Sequence, residues 1–222
     1  MSEKNGVTTK TPKKRRRGRP TLAASIDTEQ ILRAALISFA EFGFGGAKIT
    51  NIAKRAKVDD SLLHYHFKSK ENIWKKAVEL GFQDYDQDAQ TVIKLFKDMD
   101  VKTWAKASIR HSVHYNAQHP ELYQIVFHEL TQKSERSDWI IKHVLKPMTK
   151  KIYLLHKNLK KENLVKDLPL PNLVSIYIGA INSFFILHNQ MRQQFEIDPF
   201  SEEEIDRHAD TVITIIFSSI LK

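Results

Sequence analysis

Cysteine is absent from the 222 residues, which excludes a disulfide scaffold, thiolate zinc sites, a cysteine nucleophile and thiol redox chemistry. Glycine and proline are scarce, seven of each, so collagen-like and low-complexity organisation is excluded as well. No run reaches the ~18 consecutive apolar residues of a spanning helix, and no membrane partner is expected. The opening MSEKNGVTTKTPKKRRRGRP has no apolar stretch behind its charges and does not read as a secretory signal, so a reducing cytoplasm is the expected compartment. Catalytic signatures are also missing. There is no GxSxG, no Walker glycine pattern and no HExxH, so no enzyme is expected. His111 with His114, and His64 with His66, come nearest to metal-ligand spacing, but no carboxylate or thiolate completes either set. No metal and no cofactor are expected.

Acidic residues are thin in the first third. Residues 1–70 hold 15 Lys and Arg against 6 Asp and Glu, whereas residues 71–222 hold 20 of each. The whole net charge of +9 is therefore carried by one end of the chain. A basic segment on a balanced body suggests a polyanion-binding module attached to something with another task. A hydrophobic fraction of 41% with 27% charged residues is ample for a packed core.

The periodicity is helical throughout, with no convincing strand and no internal repeat. Residues 1–24 form a basic arm without apolar periodicity. Asp27 with Gln30 makes a capping-box arrangement, after which Ile31, Ala34, Ala35, Phe39 and Phe42 recur at helical spacing until Gly43. A short helix capped by Thr50 carries Ile52, Ala53 and Ala56, and the cap signals at Asp59, Asp60 and Ser61 open another with Leu63 and Phe67. Ser69 caps the next. Further helices are expected over about 70–97, 101–118, 121–132, 137–161 with a kink at Pro147, 170–195 and 202–221, about nine in all. The fold class is all-α. Three helices within 25–70, the last two short, describe a helix-turn-helix module.

A recognition helix must offer short polar groups to base edges while its apolar side holds it in place. Leu63 and Phe67 lie four apart and should face inward, leaving Ser61, Leu62, His64, Tyr65 and His66 for DNA. Lys48 and Thr50 are expected at phosphates. In the arm, Arg15, Arg16, Arg17, Gly18, Arg19 and Pro20 contain the RGRP core of an AT-hook. There Pro keeps the backbone extended, Gly lets it lie deep in the groove, and Arg follows the negative potential of narrow A·T minor grooves; the alternative is unspecific attraction to phosphates.

Residues 31–70 resemble the DNA-binding domain of the tetracycline-repressor (TetR) family. The matching positions are Phe39, Glu41 and Gly43, then Ile49-Thr50-x-Ile52-Ala53-x-x-Ala56-x-Val58, then Leu63-x-x-His66-Phe67-Lys68-Ser69-Lys70-Glu71; His119-Pro120-Glu121-Leu122 is similar too. The resemblance implies a bacterial dimeric repressor that binds an inverted-repeat operator in double-stranded DNA and is released by a small-molecule effector. It also implies that position 64 donates to phosphate and that Lys70 anchors the backbone. Two departures stand out. Lys57 occupies the place of the usual turn glycine, so that turn is expected to differ in shape. Asp59-Asp60 replaces a Ser/Thr-Lys pair; one carboxylate can accept from cytosine N4, or both can serve as caps.

The remaining 71–222 are expected to hold ligand and partner. The segment 173–187 and the last helix are apolar on more than one side, so Tyr177, Gly179, Ala180, Ser183, Phe184, Val212 and Ile216 are expected at a two-fold dimer interface. Trp104, Ser108, His111 and Tyr115 form a mixed stripe that would line a cavity for a mostly apolar ligand, with Phe127, Asn182, Phe185 and His188 facing it. The competing reading keeps the DNA binding but gives the body only dimerisation, as in a nucleoid or division factor.

Overall fold

The computed structural model describes residues 22–95, 98–161, 163 and 165–220. Among them are eleven α-helices and no strand. They are α1 (Leu22–Gly46), α2 (Ile49–Ala56), α3 (Asp60–Phe67), α4 (Lys70–Leu95), α5 (Val101–Gln118), α6 (Pro120–Leu130), α7 (Glu135–Ile140), α8 (Lys146–Lys161), α9 (Leu170–Ile186), α10 (His188–Gln194) and α11 (Glu202–Ile220), with a π turn, Ile141–Leu145, between α7 and α8. The count exceeds nine because two expected helices are interrupted. Pro147 supplies no backbone N–H for the turn before it, and the chain widens into the π turn ahead of it. The segment expected at 170–195 bends by 60° between α9 and α10. No single described helix is long and apolar enough to cross a membrane, although that bent pair passes by length and composition together.

Helix ends follow local chemistry in most places. Asp100 accepts from the backbone N–H groups of Lys102 and Thr103 at 2.9 and 3.1 Å, and its carboxyl is held below the usual range by the Thr103 hydroxyl and these amides. Ser134 and Ser137 form a reciprocal capping box. The Ser69 hydroxyl accepts from Asn72 N at 3.1 Å and caps α4, as expected. Two expected caps are not realised. Asp27 lies inside α1, which already contains Leu22, and Thr50 lies within α2, whose N-cap position is Lys48. Gly43, at φ 66°, breaks α1 near its end and tips the last turn aside, a conformation that a side chain would strain.

Two apolar cores result. The first packs α1–α4 with α6 and α7: Ile31, Phe39, Ile52, Leu63, Phe67 and Trp74 are continuous with Leu122, Ile125, Ile140 and Val144. Gly81 lets α4 approach this junction closely, since a Cβ there would meet Leu122 Cδ1 at 2.9 Å. The second core joins Ile109, Val113 and Ala117 of α5 to Ile181 and Phe185 of α9 and Val212 of α11. Helix α5 lies between the two, because Ser112 and Tyr115 turn instead toward Tyr85 on α4. A reading unit confined to 25–70 is therefore not closed by its own core.

Candidate nucleic-acid interface

Helix α3 is held from beneath by Leu63 and Phe67, both almost fully buried, as their spacing requires. Its outer face presents Ser61, His64, Tyr65 and His66, and Tyr65 is 80% exposed. The Tyr65 and His66 rings meet edge to face at 5.2 Å, forming one polar-aromatic ridge. Leu62, expected on the DNA side, is half-buried and packs against the core instead. The polar residues around it did not reveal that. Asp59 occupies the N-cap of α3 without a side-chain cap bond, so capping does not engage its carboxylate. Asp59 and Asp60 are both exposed at the helix entrance.

The turn into α3 keeps a left-handed conformation. Lys57 sits at φ 55°, ψ 42°, and its N–H closes the end of α2 on Lys54 O, while Val58 N reaches Ala53 O at 3.0 Å. The expected change of shape is not found. Packing of Ile52, Ala53 and Ala56 against α1 dictates where α3 must start, and lysine tolerates the strained backbone at a cost of about 1 kcal/mol. Lys68 takes a second positive φ of 64° at the far end of α3. Exposed lysines thus bracket the reading helix at 57 and 68, and neither was expected at DNA from the sequence. Their signal was present, since both stand at helix ends. Lys48 and Thr50 are exposed at the start of α2. Arg55 of α2 ties to Glu41 of α1 at 2.5 Å.

Lys70 is half-buried. Its ammonium donates to Gly45 O at 3.3 Å, lies 4.8 Å from the Phe44 ring centre, and is pushed below its usual pKa first by burial and then by Arg136. It therefore ties α4 to the tail of α1. Arg15, Arg16, Arg17, Gly18, Arg19 and Pro20 lie outside the described residues.

From this head an unbroken file of rings leads into the body. Phe39 stacks on Phe44 at 5.9 Å, Phe44 meets Trp74 at 6.5 Å, Trp74 meets Trp139 at 5.7 Å, and Trp139 stacks on His143 at 5.2 Å. Arg136 also lies over the Phe44 ring, at 4.0 Å, and donates to the buried Glu129 carboxylate at 2.9 Å.

The cavity expected from the stripe on α5 is not assembled. Phe185 is buried in the second core, between Phe200 and His208, and His188 caps the end of α9 by facing Phe185 O at 3.1 Å. The buried Asn182 binds Asn116 at 2.8 Å. Tyr115 and His111 turn toward Tyr85 on α4, while Ser112 rather than Ser108 makes the inward bond, to the Tyr85 hydroxyl at 3.1 Å. Trp104 and Phe127 are half-buried and line neither of two spaces that do exist. One is an open polar cleft of about 430 Å³ between α1, α4 and α5, bounded by Arg33, Asp84, Asp88, Tyr115 and His119. The other, about 300 Å³, lies between α4 and the α7–π–α8 run, against Phe82, Tyr85, Trp139, His143 and Met148. The helical spacing of the stripe was right, but α5 is covered on two sides and divides the stripe between them. Burial raises the hydroxyl pKa of Tyr85, Tyr115, Tyr123 and Tyr177, so this layer is uncharged.

The residues expected at a dimer interface divide similarly. Val212 is buried, and Tyr177, Ala180, Phe184 and Ile216 pack against their own core, with Phe184 stacked on His208 at 4.4 Å. Ser183 is half-buried, and a Cβ on Gly179 would meet open space. Among the described side chains of these two helices, the large apolar ones left outside are Ile176 and Ile215, 56% and 55% exposed.

The family model described as bacterial regulatory proteins, tetR family, matches residues 31–77. The HTH-type transcriptional regulator RutR of Escherichia coli is 42% identical over 57 residues, 26% of this chain and 27% of RutR. The HTH-type transcriptional repressor SCO4008 of Streptomyces coelicolor is 23% identical over 162 residues, 69% of this chain and 75% of the repressor. Among solved structures, AibR in complex with isovaleryl coenzyme A and operator DNA aligns with a TM-score of 0.66 at 15% identity, over 87% of this chain and 99% of AibR.

Proposed function

The chain belongs to the tetR family of bacterial regulatory proteins and is a DNA-binding transcriptional regulator, and from that premise we propose that it is a dimeric repressor which a small molecule releases from an inverted-repeat operator. Reading is assigned to 25–70, with the arm 1–24 reaching the neighbouring minor groove, and ligand and partner to 71–222. Ser61, His64, Tyr65 and His66 face the major groove, with Lys48, Thr50, Lys57 and Lys68 placed for phosphates.

One observation carries the ligand response: the core beneath α3 runs without a break to Ile140 of α7 and Val144 of the π turn, and these two elements wall the smaller cavity. A ligand acts on operator affinity only by favouring one arrangement of the two reading heads over another. A continuous packed core transmits such a bias where a hinged head would not. The competing reading, a body that only dimerises, gains support from the missing Trp104–Phe127 cavity, and the two cavities on α4 weigh against it. The dimer face is centred on Ile176 of α9 and Ile215 of α11, with the small, half-buried Gly179 and Ser183 beside Ile176, since exposed apolar residues on two neighbouring helices invite a symmetric partner.

The test is operator binding by fluorescence anisotropy, with and without a small molecule that raises the melting temperature. The expected result is a loss of operator affinity of about 5–150-fold. A stabilising ligand that leaves operator affinity unchanged overturns the reading.

A further inference from the structure

The entrance of the reading helix carries the same sign of charge as its ligand. From 44 to 70 the acidic residues are Asp59 and Asp60, against Lys48, Lys54, Arg55, Lys57, Lys68 and Lys70. Asp59 is the N-cap of α3 and Asp60 its first residue, and both are exposed. The other carboxylates described between 28 and 71 are matched, Glu29 by Arg33 at 2.7 Å, Glu41 by Arg55 at 2.5 Å and Glu71 by Lys75 at 2.6 Å. Among the described residues neither Asp59 nor Asp60 has such a cation, and Asp59 makes no side-chain cap bond.

Two unmatched carboxylates on a face that meets phosphates repel every duplex, whatever its sequence. That repulsion is offset only where a base edge supplies a donor. The major groove supplies two, the amino groups of cytosine N4 and adenine N6. Adenine sets the acceptor N7 beside its amino group, which suits an amide and repels a carboxylate, whereas cytosine presents no acceptor of its own there. The N-terminal residues of a recognition helix are the ones that reach base edges. The helix dipole also favours acids at this end, but it acts without DNA and is blind to sequence, so the two roles are separable.

We propose that the Asp59–Asp60 pair makes the operator cytosine-dependent: a carboxylate of the pair accepts from cytosine N4 in each half-site, and duplexes without that cytosine are rejected by the unrelieved charge. The assignment rests on α3 as the reading helix and adds the base that its first turn selects.

The experiment uses the full chain and a pool of duplex DNA with a randomised central segment, from which bound duplexes are selected and sequenced. The parent is expected to enrich an inverted repeat with cytosine at one fixed position of each half-site. Asp59→Asn combined with Asp60→Asn should move that position toward adenine, because an amide pairs with adenine N6 and N7. In anisotropy titrations, changing that C·G pair to A·T should weaken the parent about 5–150-fold and the double variant less than about twofold. The double variant should also bind random duplex at least about twofold more tightly than the parent, since a repulsion is gone. Both side chains are exposed, so the fold is kept; a melt checks it, and the two single variants serve if the double one melts early. A lowered melting temperature with unchanged base preference leaves only the dipole role and overturns the proposal. A parent pool without a fixed cytosine, or identical pools from parent and carboxylate variants, overturns it as well. Tyr65→Ala tests the premise separately. If it alters the selected bases while the carboxylate variants alter none, α3 still reads and only the cytosine assignment falls. If none of these variants alters the pool, or no duplex is enriched, α3 as the reading helix falls too.

Discussion

Replacing Arg136 with Met should loosen the joint between head and body measurably. Glu129 is 2% exposed, and its carboxylate is met by Arg136 Nε at 2.9 Å and by the Ser134 hydroxyl at 3.2 Å. Removing one partner of a buried ion pair costs about 3–5 kcal/mol, because the remaining charge is stranded away from water. Arg136 retains 24% of its side-chain exposure and Ser134 still donates, so about 2–3 kcal/mol is the appropriate figure here. The guanidinium over Phe44 at 4.0 Å adds about 0.5–1 kcal/mol at a partly exposed site. A total near 3 kcal/mol corresponds to a melting temperature lowered by about 6–12 °C in a chain of this size. Thermal melts at fixed protein concentration measure it, since any self-association would make the midpoint concentration-dependent. The cycle with Glu129→Gln isolates the cause: in that background Arg136→Met should cost only about 1 kcal/mol, because no charge is left stranded. An equal loss in both backgrounds, or a shift below about 2 °C in the single variant, would refute the buried-pair argument.

Lys57→Gly should raise the melting temperature slightly, by up to about 1 kcal/mol in stability, and Lys57→Val should lower it, because the left-handed turn suits glycine and resists β-branching; the reverse order in a melt would contradict the strain at φ 55°. Tyr65→Ala and His66→Ala should weaken operator binding by about 1–3 kcal/mol while sparing random DNA, and equal loss on both in anisotropy titrations would reduce them to positioning groups. Ile176→Asp with Ile215→Asp should yield a soluble monomer by sedimentation, since these side chains are exposed within one protomer; an unchanged dimer would place the interface elsewhere. Burial lowers the pKa of both His111 and His208, partly opposed by Asp88 at the first and by backbone groups of Ile181 and Ala180 at the second. Below the ordinary value of 6.5 the unfolded chain takes up protons that the folded chain refuses, so stability should fall as pH drops from 6.5 through the lowered folded values. A melting temperature that rises over that interval, or a His208→Gln variant with the same pH slope as the parent, would exclude this origin.

The pattern of apolar residues was sufficient to place the helical segments, though not the breaks within 137–161 and 170–195, and to give the inward pair Leu63 and Phe67 and the polar ridge at 61 and 64–66. These properties depend on neighbours three and four residues away, which one-dimensional spacing records. The charge asymmetry was equally plain, being a property of composition. What each side of a helix touches was decided only by the tertiary structure. Helix α5 is covered on two sides, so a stripe that reads as one cavity wall is divided, Tyr115 going to Tyr85 and its neighbour Val113 to Ile181 and Phe185. Helices α9 and α11 are apolar on several faces, and only packing separates Val212 and Phe184, which serve their own core, from Ile176 and Ile215, which remain outside. The ring file from Phe39 to His143 joins residues about a hundred positions apart, and the turn at Lys57 stays left-handed because the helices on either side of it are already held by burial. Periodicity says that a face is apolar; the energy gained on covering it depends on which surface arrives there, and that is a property of the folded chain alone.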